Sequence, residues 1–112
     1  MDEKAKREAI RQLNDRFRMS GPAAGDWLVT SGVQSLGEAA IVLAIQLTTQ
    51  FDAFTPDNDP YGEHDFGSFT LAGHKLYWKI DYYDLRLKFG SPNPADEQIT
   101  RRVMTILLAS EY

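Results

Sequence analysis

The chain has 112 residues, 43% hydrophobic and 25% charged, which predicts one globular domain and excludes a disordered chain. It contains no cysteine, so disulfides, thiolate metal sites and cysteine nucleophiles are excluded. Its net charge of −4 is uneven: residues 1–18 hold six cations against four acids, and no Lys or Arg occurs from Met19 to His74.

The first segment, 1–18, predicts an amphipathic helix over residues 3–18. Ile10, Leu13 and Phe17 recur at helical spacing with Ala9 beside them, while Glu8, Arg11 and Asp15 mark the other side. Asp2 and Glu3 suit the positive end of its dipole, and Ser20-Gly21-Pro22 ends it. Trp27-Leu28-Val29-Thr30 predicts a short strand. Ser35-Leu36-Gly37-Glu38 matches a capping box and predicts a helix over 35–52. Every residue from Ala39 to Ile45 is apolar, which predicts a core helix covered on more than one side.

Residues 52–65 form an acidic loop without periodicity, and Asp59-Pro60-Tyr61-Gly62 fits a type I turn within it. Residues 66–83 alternate like a hairpin with a tight turn at Ala72-Gly73, although Ala is not ideal at the first turn position. Pairing Leu71 with His74 sets Gly67 against Trp78, where the missing side chain makes room for the indole, and sets His64 against Asp81. Leu76, Trp78, Ile80 and Tyr82 then face the core, and Lys75, Tyr77, Lys79, Asp81 and Tyr83 face away. Asn93-Pro94 suggests a capped helical turn in the polar connection. Residues 99–109 fit helix or strand, and their β-branched content selects the final strand. The fold expected is α+β: about four antiparallel strands with two helices packed on one face.

The acidic loop is the densest candidate site. Asp57, Asp59, Glu63 and Asp65, with His64, offer oxygens and an imidazole suited to a divalent metal. The metal candidates are Asp57, Asp59, Asp65 and His64, and no other cofactor is expected. The spacing is neither an EF-hand nor a zinc-binding helix, and carboxylates in a Pro/Gly turn also serve their own backbone amides. A His64–Asp81 pair would fix the imidazole tautomer and leave the other nitrogen free as a base, making both residues catalytic candidates. The plainer reading is a cross-strand polar pair. Tyr61 in the loop, Tyr77 and Tyr83 on the outer hairpin face, and Asp84 beyond it complete a candidate binding surface for a partner protein.

The cations are too few on one surface for a phosphate backbone, so nucleic acid is not the expected partner. Only the first helix, through Arg7, Arg11 and Arg18, offers a basic footprint. No apolar run reaches the roughly 18 residues of a membrane span, and the charged start predicts no signal peptide, so a cytoplasmic protein is expected. A homo-oligomer is compatible with the sequence.

Four runs carry a resemblance: Leu13 to Arg18, Phe54 to Gly67, Trp78 to Asp84 and the ending Ala109-Ser110-Glu111-Tyr112. Together they resemble the domain-of-unknown-function family numbered 3768, frequent on alphaproteobacterial plasmids and other mobile elements. The resemblance brings no activity, cofactor or catalytic residue. It implies a mobile-element context and hence a non-enzymatic interaction protein, such as an inhibitor of a host defence factor. The alternative is a small divalent-metal-dependent hydrolase or nuclease built on residues 57–65, His64 and Asp81.

Overall fold

The computed structural model describes residues 2–112. Helix α1 (Glu3–Ser20) begins where the Asp2 carboxylate accepts a hydrogen bond from the Ala5 amide at 2.7 Å, and it stops at Gly21, whose φ of +72° favours glycine. Strand β1 (Asp26–Val29) follows a short 3₁₀ turn, then come α2 (Ser31–Gln34), α3 (Glu38–Thr49), β2 (Phe66–Leu71), β3 (His74–Tyr83) and β4 (Arg101–Leu108).

The strands form one sheet in the order β1-β4-β3-β2. The β2–β3 and β3–β4 pairs are antiparallel, as expected, but β1 runs parallel to β4. The fold class is therefore α+β with a mixed sheet. The final segment is a strand, and it lies at the interior of the sheet between β1 and β3. The hairpin register is the one read from the sequence, from Leu71 against His74 to Phe66 against Lys79. Ala72 and Gly73 have φ of +51° and +79°, the two left-handed positions of a type I′ turn.

One face of the sheet is the core. Leu76, Trp78, Ile80, Met104 and Ile106 are buried there against Val33 and Ala44. Phe51 and Phe54 meet the Trp78 ring edge-on at 5.4 and 6.1 Å. Helices α1 and α3 both cover this face: Phe17 of α1 packs on Trp27, with ring centroids 6.3 Å apart, and Ala44 lies in the cluster. Gly67 is obligatory beneath the indole, since a Cβ there would sit 2.3 Å from Trp78 Nε1.

Three local expectations are corrected. The expected 35–52 helix is two helices. Thr30, not Ser35, caps the first of them by accepting from the Val33 amide, while the Ser35 hydroxyl donates back to the Gly32 carbonyl. Gly37, at φ +102°, redirects the chain so that α3 starts at Glu38 without a side-chain cap. Second, α3 is covered on one side only. Val42 and Leu43 are exposed on the other, while Ala44 and Thr48 are buried. Third, Asn93 and Pro94 form a capped turn rather than a helix, with the Asn93 carboxamide oxygen accepting from the Ala95 amide at 3.3 Å.

Glu111, after β4, fastens the end of the chain. Its carboxylate accepts from the Leu108 amide, the Thr30 hydroxyl and the Gly32 amide, which together hold its pKa below the usual carboxylate range.

Candidate functional site

His64 lies just before β2, where strand alternation would point it outward at Asp81. Its φ of +56° turns it instead toward the helices. The expected His64–Asp81 pair therefore does not form. His64 Nδ1 meets Asp15 Oδ1 at 2.8 Å, Nε2 faces Asp59 Oδ2 at 3.5 Å, and the ring stacks on Phe54 at 3.7 Å with the planes 2° apart. Asp15 takes the Nδ1 hydrogen bond, and Nε2 faces Asp59 without a hydrogen bond to it. Asp81 stays on the outer face and pairs with Lys79.

Asp15 was expected on the open side of α1. It stands at the α1–loop seam, because its carboxylate also accepts from Arg18 Nη2 at 3.2 Å. Arg18 was expected as a surface cation, yet it is 3% exposed. Its Nη1 donates to the carbonyls of Thr48 and Thr49 at the C-terminal end of α3, and its guanidinium lies 5.5 Å from the Phe54 and Trp78 rings. Of the rest of the expected basic footprint, Arg11 pairs with Glu8, and Arg7 lies over the Tyr61 ring.

A second polar cluster surrounds Asn14, which is fully buried. Its Nδ2 donates to Tyr82 Oη at 2.7 Å and to the Glu63 carbonyl at 3.0 Å, and its Oδ1 accepts from Arg102 Nε at 2.6 Å. Tyr82 Oη in turn donates to Glu63 Oε1 at 3.0 Å. Burial pushes the Tyr82 hydroxyl far above its ordinary pKa, so it remains a donor. Asp65 is half-buried beside this cluster. Burial first, then the neighbouring Glu63 carboxylate, raise its pKa to about 6.

Of the expected metal candidates, His64 and Asp59 meet, but they do not form a metal-binding set with the others. Among the described residues, no three His, Asp or Glu side chains converge in a metal-binding set. Asp57 is exposed, Asp59 Oδ1 accepts from the His64 amide at 3.2 Å, and His64 is held as described. Asn58 ties the loop to itself, accepting from the Thr55 amide and donating to the Ala53 carbonyl.

On the outer face Tyr77 packs with Phe66 and Tyr112, at ring distances of 5.0 and 5.5 Å. Tyr83 pairs with Arg101 across the sheet and with Gly90 across the next loop. Asp84 organises that loop from within. One carboxylate oxygen accepts from the Arg86 and Lys88 amides at 3.1 and 3.0 Å, and the Asp84 amide donates to the Phe89 carbonyl at 2.8 Å. The turn so formed displays Leu85, Leu87 and Phe89, which are 56%, 43% and 74% exposed. Sequence reasoning passed over this loop. The alternation Leu85-Arg86-Leu87-Lys88-Phe89, closed by Asp84 and Gly90, was the available signal.

The molecule is thus an α+β domain whose buried charges are built into its packing and which displays three exposed apolar side chains on one tied loop. Residues 29–111 match the family described as Protein of unknown function (DUF3768), and the chain belongs to that family. The match begins in β1, so α1 with Asn14, Asp15 and Arg18 precedes it, whereas the resemblance had included that helix. No curated protein and no solved structure matches the chain. Among the described residues, no helix is long and apolar enough to cross a membrane.

Proposed function

We propose that this chain is a non-enzymatic interaction protein of mobile-element origin that binds and blocks a host defence protein. The observation that carries the reading is the loop of residues 84–89. Three large apolar side chains stand in water there, and the Asp84 carboxylate holds their backbone in one shape. Burying each such side chain in a partner is worth about 1.5–3 kcal/mol, and a loop already ordered loses little entropy on docking. Arg86 and Lys88 alternate with the apolar residues, so the fitting partner presents an apolar cleft rimmed by carboxylates. The imidazole, bonded to Asp15 and stacked flat on Phe54, ties the acidic loop to α1, which suits a structural role.

The test is co-purification from the native host with the wild-type chain and with a Leu85→Ser, Leu87→Ser, Phe89→Ser variant that keeps its circular dichroism. A protein retained by the wild type and lost by the variant is expected. Equal recovery of every captured protein by both chains would contradict the proposal.

A further inference from the structure

The sheet ends in an edge strand on each side, β1 and β2. β1 is four residues long and opens on Asp26, which pairs with Arg101, the short charged form that discourages further pairing. β2 has none of these safeguards. Phe66-Gly67-Ser68-Phe69-Thr70-Leu71 runs six residues without a charge, a proline or a bulge. Leu71 and His74 flank the two-residue turn, so Gly67, Phe69 and Leu71 exchange their backbone bonds with β3, and the Ile80 amide donates to the Asp65 carbonyl in the same phase at 2.8 Å. The amides and carbonyls of Phe66, Ser68 and Thr70 therefore point away from the sheet. Among the described residues, no loop or helix backbone bonds to these six groups, and Ser68 and Thr70 are exposed.

We propose that β2 pairs antiparallel with β2 of a second copy of this chain about a two-fold axis at Ser68, joining two four-stranded sheets into one. The strand is complementary to itself in that register. Ser68 exchanges two bonds with its own counterpart, and Phe66 exchanges two with Thr70 of the other copy on either side, so all six groups are used. On the outer face Phe66 then lies against a β-branched Thr70, a favourable cross-strand pair. On the core face each half-buried Phe69 lies opposite Gly67, which brings no side chain of its own against the ring. The charges agree. Two copies at −4 repel overall, but no Asp or Glu occurs from Phe66 to Ile80. Antiparallel pairing sets the acidic loop of one copy beside the turn of the other, where His74 and Lys75 are exposed, whereas parallel pairing would set the two acidic loops together.

Sedimentation velocity of the full chain from micromolar to millimolar concentration should show a reversible dimer. Ser68→Lys sets like charges face to face on the axis and should abolish the dimer with circular dichroism unchanged. The chain has no cysteine, so Ser68→Cys and Thr70→Cys test the register. Two Ser68→Cys sulfurs meet across the axis, at the Cα separation of about 5.5 Å of a hydrogen-bonded pair, which a disulfide can span. Two Thr70→Cys sulfurs stand four residues apart along the strands. Mild oxidation should therefore link Ser68→Cys into a covalent dimer many times faster than Thr70→Cys. A monomer at every concentration, which would leave this edge to a strand of another protein, a dimer unmoved by Ser68→Lys, or equal rates of cross-linking would each overturn the proposal.

Discussion

His64 Nδ1 lies 2.8 Å from Asp15 Oδ1, and this contact fastens the acidic loop to the first helix across 49 residues of sequence. Asp15 passes the connection to Arg18, and Arg18 passes it to the last carbonyls of α3. Loop, α1 and α3 are therefore joined by one line of charge. A left-handed backbone at a histidine is unfavourable, and the Phe54 stack with the two facing carboxylates offsets it.

Asp65 makes stability depend on pH. Its carboxyl titrates near 3.8 when unfolded and about 6 when folded. Between those values the folded state holds the extra proton, so this contribution weakens as pH rises through the window and stays low above it. Allowing for solvent screening of a half-buried group, the loss at neutral pH is about 1–2 kcal/mol. Asp65→Asn should raise the urea midpoint at about pH 7 and change it little near pH 4. A midpoint raised equally at both would contradict the assignment.

Gly67→Ala drives a methyl group into the fully buried Trp78 indole, where a Cβ would sit 2.3 Å from Nε1. A loss of about 1–3 kcal/mol is expected from denaturant unfolding, with a change in Trp78 fluorescence in the native baseline. Unchanged stability would mean that the hairpin register is different.

Ala72 occupies a left-handed position that Asn or Gly fills more easily. Ala72→Asn should stabilise the chain by about 0.5–1 kcal/mol, seen as a higher melting temperature. A lower melting temperature would argue against the type I′ turn.

Periodicity of two made the hairpin legible: Leu76, Trp78 and Ile80 could face only one way, and the tight turn pairing Leu71 with His74 set the register that places Gly67 opposite Trp78. That logic failed two residues before the strand, because the sign of φ at His64 is not written in the alternation. The Ser35–Glu38 box misled because Thr30 offered an equal cap one turn earlier and Gly37 interrupted the box. Burial of Asn14 and Arg18 was invisible for another reason. Their partners Arg102, Glu63 and Thr48 lie 88, 49 and 30 residues away, so no local pattern marks them. The parallel placement of β1 beside β4 depends on the same long-range assembly.

A pair of double-mutant cycles, measured by denaturant unfolding, tests the central geometry most directly. His64→Ala combined with Asp15→Ala should show a coupling of about 1–3 kcal/mol. His64→Ala combined with Asp81→Ala should be additive within about 0.5 kcal/mol. Coupling in the second cycle with additivity in the first would place the imidazole on the outer face of the sheet and contradict this account.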